Sequence, residues 1–319
     1  MIPHLPSPAR SMSKKRLASP SPASVCWCGD RSGYRMQGAL RAAVLSLVAT
    51  SLWPAADAYL AEIEAWRRER EKRLTADDGW LTVVGLFWLK QGSNSFGTDP
   101  SCDIVLPPGS APPRAGTFEH SNGRTLLRWA DRPGPPLEMQ PDAPGPPTIA
   151  TVGDLSLLVI RRGDRYAIRL RDRNSGFRRQ FTGLRWYPVD AAWRVTARFT
   201  PYPEPRTLRV GSTIGEPQEF DAPGYLEFDV QGRRLRLEPA RSGAELFLIF
   251  KDLTSGKTTY PAGRFLYAPL PKDGTVVLDF NKAFNPPCAF TPYTTCPLPP
   301  KQNHLPVAVE AGEKLYRGP

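Results

Sequence analysis

The polar residues best suited to chemistry lie near the carboxyl end of the chain. Asp279 and Asn281 stand two residues apart at the end of an apolar run, so both side chains project from one face of a predicted strand. Arg264 precedes them and Glu313 follows them. An arginine beside carboxylates can bind an anion, and the carboxylates can transfer protons. One hypothesis is therefore a polar pocket built from these residues.

The sequence around these residues supports a second, structural hypothesis. Residues 279–314 contain seven prolines, three asparagines, two cysteines and one histidine. Because proline has no backbone N–H and fixes φ at about −65°, this segment is predicted to be an ordered loop rather than a strand or helix. Amide and carboxylate side chains can replace the hydrogen bonds that prolines cannot make. Arg264, Asp279 and Asn281 then form a buried ion-pair and amide network that orders the loop.

The same region resembles a known family. The run GRFLYAPLPKDGTVVLDFNKAFNPPCAFTPYTTCPLPPKQNHLPVAVEAGEK is similar to the C-terminal signature of the bacterial family called domain of unknown function 1684. The resemblance extends from about Trp80 to the end of the chain, and it implies no established activity. The stretches TYPAGRFLY, LDFNKAFNPPC, PPKQNHL and AGEK resemble the family most. They contain the candidate residues of a pocket or a structural network: Tyr260, Arg264, Asp279, Asn281, Asn285, Asn303, His304 and Glu313.

Three cysteines lie beyond residue 58, at Cys102, Cys288 and Cys296. In an oxidising compartment Cys288 and Cys296 are predicted to form a disulfide, which would stabilise the fold by roughly 2–3 kcal/mol. Two alternatives remain open: a reduced pair that acts as redox thiols or metal ligands, and two unpaired buried thiols. The pair lacks the Cys-x-x-Cys spacing, and His304 is its one nearby third ligand. We therefore predict no metal site and no cofactor.

The familiar enzyme signatures are missing from the sequence. It contains no G-x-S-x-G elbow, H-E-x-x-H pair or paired Cys-x-x-Cys motif. The first functional hypothesis is an exported cell-envelope β-protein that has a structural role or binds an unknown small-molecule or cell-envelope ligand. The alternative is a hydrolase-type enzyme that uses a pocket around Arg264, Asp279, His304 and Glu313. A solvent-facing or structural role for His304 is the competing interpretation.

The beginning of the chain has the pattern of a targeting segment. Residues 36–58, MQGALRAAVLSLVATSLWPAADA, contain one basic residue, an apolar run and the cleavage motif Ala56-Asp57-Ala58, which together predict a signal peptide. The apolar run is too short to span a bilayer, so no transmembrane span is predicted after cleavage. A buried helix is the alternative. Residues 1–35 are interpreted as a mis-called start or a disordered tail, and a periplasmic or secreted location is predicted.

The charge of the chain is concentrated in this first segment. The whole sequence has 42 Lys and Arg against 31 Asp and Glu, whereas residues 59–319 have 35 against 29. The remaining charge is a solubility feature and predicts no nucleic-acid partner. The segments RRGDRYAIRLRDR and GRRLRLEP alternate arginine with apolar residues, which is typical of strands with one solvated face. A basic face for an anionic polymer is the alternative interpretation.

The rest of the sequence predicts a mainly β fold. Residues 59–74 form one N-terminal amphipathic helix. Short β-branched or aromatic runs follow, separated by turn residues. They predict an antiparallel sandwich or barrel, with two packed β-modules as one arrangement. A Pro/Gly-rich stretch suggests a boundary. The predicted organisation is a helix and small β-module at 59–130, a loop or linker at 131–149, and a main β-domain with the proline- and cysteine-containing loop at 150–319.

Overall fold

The computed structural model describes residues 40–318, and side chains from residue 56 onward except that of residue 205. The predicted tail at 1–35 and the first residues of the predicted signal peptide lie outside the described residues. Glu62 to the end of the chain forms one compact unit. A separate unit precedes it, and the described part of that unit is helical.

The secondary structure is dominated by strands. The α-helices are α1 (Leu40–Thr75) and the single-turn α2 (Gly176–Arg179). Short 3-10 helices occur at Trp80–Thr82, Ala191–Trp193, Phe280–Lys282, Pro287–Ala289 and Lys301–Asn303. The strands are β1 (Val83–Trp88), β2 (Gly92–Gly97), β3 (Ile104–Val105), β4 (Gly116–Ser121), β5 (Arg124–Trp129), β6 (Leu137–Glu138), β7 (Ile149–Val152), β8 (Leu155–Arg162), β9 (Arg165–Asp172), β10 (Arg194–Val210), β11 (Gln218–Val230), β12 (Arg233–Leu237), β13 (Ala240–Ser242), β14 (Glu245–Phe250), β15 (Arg264–Pro269) and β16 (Thr275–Asp279).

Two sheets in the first half of the chain enclose one hydrophobic core. The five-stranded sheet has the order β3-β2-β4-β5-β6, and the four-stranded sheet has the order β1-β9-β8-β7. Phe96 and Phe118 of the first sheet pack with Leu157 and Ile168 of the second, and all four are fully buried. Residues 131–149 lead from β5 into β7 and contain β6. The proposed module boundary at this stretch stays a prediction.

The second half of the chain forms another pair of sheets around its own core. One sheet has the order β12-β11-β10-β16, and the other has the order β13-β14-β15. Leu226 and Leu278 of the first sheet share the core with Leu248 of the second and with Val309 of the C-terminal segment. The prediction of a mainly antiparallel, sandwich-like fold with one N-terminal helix is confirmed. In the described residues, none of the four sheets closes on itself.

Residues 286–300, which we call the proline loop, lie against the outer face of the β1-β9-β8-β7 sheet. The Thr291 hydroxyl donates to the Val83 carbonyl at 2.9 Å, and Nε of Arg162 donates to the Thr295 hydroxyl at 2.8 Å. Leu158 and Ala167 are buried on this outer face. Since the opposite face packs into the first core, strands β8 and β9 are covered on both sides.

Candidate functional site

Arg264 forms a buried ion pair with Asp252, whereas the sequence had suggested Asp279 as its carboxylate partner. The Arg264 side chain is fully buried, and its Nη2 lies 2.9 Å from Oδ2 of Asp252. The guanidinium also donates to the carbonyl of Val309 at 2.8 Å and to that of Ala311. These contacts connect the start of β15 to a C-terminal segment that is not part of any β-sheet. The arrangement matches a structural network.

Asp252 is held by several further donors. Its Oδ1 accepts the Thr254 backbone N–H at 2.8 Å, the Thr254 hydroxyl at 2.5 Å and the Val309 N–H at 3.2 Å. These three hydrogen bonds and the ion pair with Arg264 fix the position of the Asp252 carboxylate. Asp252 was absent from the predicted set. The Asp-x-Thr spacing at the end of β14, typical of a side chain that bonds its own local backbone, was the available signal.

Asp279 and Asn281 form a second local network. The Asp279 carboxylate accepts the Asn281 backbone N–H at 3.1 Å and thereby caps the 3-10 helix Phe280–Lys282. The Asn281 amide exchanges two hydrogen bonds with the backbone of Asp190, at 3.1 and 2.8 Å. Phe280 is fully buried between them in the second core. The pair therefore joins the end of β16 to the segment before β10.

Asn303 and His304 have opposite environments although they are neighbours. Asn303 is fully buried and its amide bonds the backbone of Glu238 at 2.8 and 2.9 Å and the Ile249 carbonyl at 3.0 Å. His304 is exposed, and its Nε2 lies 3.4 Å from the Pro299 carbonyl oxygen. Asn303 thus anchors the chain just after the proline loop, while His304 faces solvent.

Glu313 and Asn285 lie in a buried cluster with Arg70 of α1. Nε of Arg70 is 3.4 Å from Oε2 of Glu313, and its Nη2 donates to the Asn285 carbonyl at 3.0 Å. Burial raises the pKa of Glu313, and Arg70 and Asn285 oppose that rise. Oε1 of Glu313 and Oδ1 of Asn285 have no hydrogen-bond partner among the described residues.

Gly312 explains how Glu313 reaches this cluster. Its φ is +77°, and a Cβ at this position would lie 2.4 Å from the Ala283 carbonyl oxygen. Only glycine combines this left-handed backbone with so close an approach. Glu313 then donates its own backbone N–H to the same carbonyl at 2.8 Å and turns its side chain inward.

The residues of the hydrolase hypothesis therefore lie in separate networks rather than around one cleft. Arg264 pairs with Asp252, Asp279 caps a short helix, Glu313 contacts Arg70, and His304 is exposed. A surface cavity in the described part of the chain is lined by other residues: Pro112, Ala115, Trp129, Asp131, Arg132 and Val152. Among residues 40–318, no three His, Cys, Asp or Glu side chains are grouped so that they could hold a metal ion.

Tyr260 belongs with the two cysteines of the proline loop. Its hydroxyl donates to the Cys288 carbonyl at 2.9 Å, and the Cys288 backbone N–H points at Sγ of Cys296 at a distance of 3.3 Å. Both cysteines are thiols in the structure, as is the buried Cys102. The predicted disulfide is therefore not formed in this structure, although the chain brings its two partners together. The pairing stays a prediction.

Arg169 in β9 is the functional candidate that the sequence patterns missed. Alternation predicted a solvated face, yet Arg169 is only 4% exposed. Its Nε and Nη2 have no hydrogen-bond partner among the described residues, and its guanidinium lies 5.0 Å from the Trp80 ring centre. Burial, followed by the charge of Arg162, lowers the pKa of Arg169 to about 10. The available signal was the neighbouring run LSLLVI in β8, which is apolar on both faces.

Two further arginines lie close to Arg169. Arg171 is half-buried, and its Nε has no partner among the described residues. Arg162 forms two bonds of 2.9 Å with the two carboxylate oxygens of Asp142, and that carboxylate also accepts the Arg161 N–H at 2.9 Å. Asp142 is thus occupied by Arg162. We call Arg162, Arg169 and Arg171 the arginine cluster.

The comparisons with known proteins place the chain in a family without an assigned activity. The model of the family described as "Protein of unknown function (DUF1684)" matches residues 179–314. An uncharacterized protein of Haloarcula marismortui with a solution NMR structure is 33% identical. That similarity covers 43% of this chain and 78% of the other, with a TM-score of 0.37. No curated protein matches. The chain belongs to the DUF1684 family, as the resemblance predicted, although the family match begins later than Trp80.

None of the helices in residues 40–318 is both long and apolar enough to cross a membrane.

Proposed function

We propose that this protein is an exported cell-envelope β-protein that binds a small anionic ligand at the arginine cluster beneath the proline loop. The observation that carries the proposal is Arg169, a buried guanidinium with two donor nitrogens, Nε and Nη2, that have no partner in the described part of the chain. Burying a charge without a hydrogen-bonded partner costs several kcal/mol. A site that keeps such a charge is suited to an anion that supplies the missing acceptors.

The chemistry of the cluster favours a carboxylate or phosphate group. Guanidinium groups present paired N–H donors in a plane, a geometry that matches two oxygens of either anion. Arg169 and Arg171 are two residues apart on one strand, so their side chains leave the same face of the sheet. Asp142 does not neutralise them by contact, because Arg162 occupies both of its oxygens.

The proline loop controls access to these donors. Nε and Nη2 of Arg169 are out of contact with solvent, so the loop has to move before a ligand can reach them. Thr291 and Thr295 bond the sheet near the cluster, and Gln218 and Thr213 of the second half of the chain hold residues 294–296. Pro292 and Tyr293, at the tip of the loop, are exposed. We propose that this tip lifts and that the loop closes over the bound anion.

Export is supported by the sequence and is compatible with the domain structure. Cleavage after Ala58 removes residues that precede the compact unit, which begins at Glu62. We expect protein recovered from the cell envelope to start at Tyr59. N-terminal sequencing of that protein checks this, and an intact chain starting at Met1 in the cytoplasm would contradict export.

The anion site is tested by thermal unfolding of the protein with added phosphate, sulfate or acetate, against chloride at equal ionic strength. A ligand that binds only the folded state at one hundred times its Kd stabilises it by about 2.7 kcal/mol. We expect at least one of the three anions to raise Tm in the wild type. Arg169→Met should abolish the increase.

Arg165→Met is the matched control for this experiment. Arg165 lies on the same strand, but it is exposed and forms a surface ion pair with Glu216 at 2.8 Å. Its replacement should leave the anion-dependent increase in Tm intact. An increase that chloride reproduces, or that survives in Arg169→Met, would refute the site.

A further inference from the structure

We propose that Cys288 and Cys296 are a redox-active pair that forms an intramolecular disulfide by exchange with the disulfide of an oxidised partner protein. The inference rests on the geometry of the proline loop and is independent of the anion site. It assigns a reversible covalent modification to two thiols that the structure holds side by side.

Hydrogen bonds hold the two cysteines in position from both sides. Cys296 is fixed to Thr213, whose hydroxyl accepts the Cys296 N–H at 3.1 Å and whose backbone N–H donates to the Cys296 carbonyl at 3.0 Å. Cys288 lies in the 3-10 helix Pro287–Ala289 and is fixed by the Tyr260 hydroxyl. The 3.3 Å contact between the Cys288 N–H and Sγ of Cys296 follows from these attachments.

The two thiols have different environments, which assigns different roles to them. Cys288 is partly exposed and Cys296 is buried. Hydrogen bonding from Cys296 lowers the pKa of Cys288 against the effect of burial, and Tyr260 contributes in the same direction. The shared hydrogen bond with Cys288 and burial raise the pKa of Cys296. Cys288 is thus the attacking thiolate, and Cys296 is the resolving thiol.

The exchange takes place in two steps. The Cys288 thiolate attacks one sulfur of the partner's disulfide, whose S–S bond breaks and releases the second sulfur as a thiolate. Cys296 then loses its proton and attacks Sγ of Cys288, which breaks the mixed disulfide and forms the Cys288–Cys296 bond. The two cysteines lose two electrons and two protons. The partner gains them and becomes a dithiol.

Oxidation would stiffen the part of the proline loop that touches the sheet. The bond closes residues 288–296, which include Thr291 and Thr295, the two residues that bond the sheet. The closed loop lowers the entropy of the unfolded chain. For a protein of this size, the expected effect is an increase in Tm of roughly 4–12 °C in the oxidised form.

The test uses the full chain with Cys26→Ser and Cys28→Ser, so that Cys102, Cys288 and Cys296 are its remaining cysteines. The protein is equilibrated in glutathione redox buffers, free thiols are blocked, and the peptides are mapped without reduction. We expect one bond, between Cys288 and Cys296, with Cys102 free, and full reversal by dithiothreitol. Three free thiols, a persistent glutathione adduct, or a bond to Cys102 would overturn the proposal.

Tyr260→Phe tests the assigned roles. In the structure the Tyr260 hydroxyl donates to the Cys288 carbonyl, and in the proposed thiolate state it turns to donate its one proton to Sγ of Cys288. Its loss should therefore move the pH midpoint of iodoacetamide alkylation of Cys288 upward. Cys102→Ala is the control, since Cys102 lies away from the pair and bonds the Pro113 carbonyl. It should leave both the midpoint and the oxidation-dependent increase in Tm unchanged. An unchanged midpoint in Tyr260→Phe would overturn the assignment of Cys288 as the attacking thiol.

Discussion

Asp252→Asn should lower the free energy of unfolding by about 3–5 kcal/mol, because it leaves the fully buried Arg264 guanidinium without its carboxylate. The replacement keeps the size of the side chain, so the change reports the lost charge and hydrogen bonds rather than a cavity. The free energy of unfolding is measured by urea titration at pH 7.

Asp229→Asn is the matched control for this prediction. Asp229 pairs with Arg234 at 3.3 Å, but their side chains are 65% and 75% exposed. Its replacement should change the free energy of unfolding by less than about 1 kcal/mol. The double variant Asp252→Leu/Arg264→Met removes both charges and should recover much of the loss. A loss below about 1 kcal/mol for Asp252→Asn would contradict a structural role for the pair.

Arg169→Met should have the opposite effect to Asp252→Asn and raise the free energy of unfolding by about 1–3 kcal/mol in chloride buffer without added anion. The variant removes a buried charge that has no carboxylate contact in the described residues, and methionine fills similar space. Loss of the contact with Trp80 offsets part of the gain. Functional sites commonly keep such destabilising groups because the ligand supplies the missing interaction.

Arg165→Met again serves as the control. Its guanidinium lies 3.7 Å from the Trp88 ring centre, so the variant loses a comparable aromatic contact at an exposed position. It should be neutral or lose up to about 1 kcal/mol. If urea titration instead shows that Arg169→Met is destabilised, Arg169 is a structural residue and the anion site is wrong.

The contrast between Arg264 and Arg169 shows why the sequence could not assign their roles. Both arginines lie in strands next to apolar residues, and both are buried. Arg264 has a carboxylate partner 12 residues away in sequence, across the hairpin of β14 and β15. Arg169 has none in the described part of the chain. Which carboxylate meets a buried arginine depends on strand pairing and loop path, and local sequence patterns carry no record of either.

Local sequence patterns correctly predicted the features that depend on the conformational preferences of neighbouring residues. The turn residues and short β-branched runs predicted the mainly antiparallel fold, and the family resemblance is confirmed. The seven prolines predicted an irregular, ordered loop at the C-terminal end, because proline lacks the N–H that strands and helices need. The structure has only short 3-10 helices there.

The alternation of apolar and charged residues in β9 could not predict whether its charged face is buried. The tertiary structure determines this. A period of two residues separates the two faces of a strand, but it does not say what covers each face. The proline loop, more than 100 residues further along the chain, bonds Arg162 and Val83 of the same sheet, and the Trp80 ring packs on Arg169. The antiparallel pairing of β14 with β15 placed Asp252 rather than Asp279 beside Arg264, since it brings residues 252 and 264 together. Segments outside β9 therefore bury an arginine that the alternation had predicted to be solvated, and that arginine is the candidate anion-binding residue.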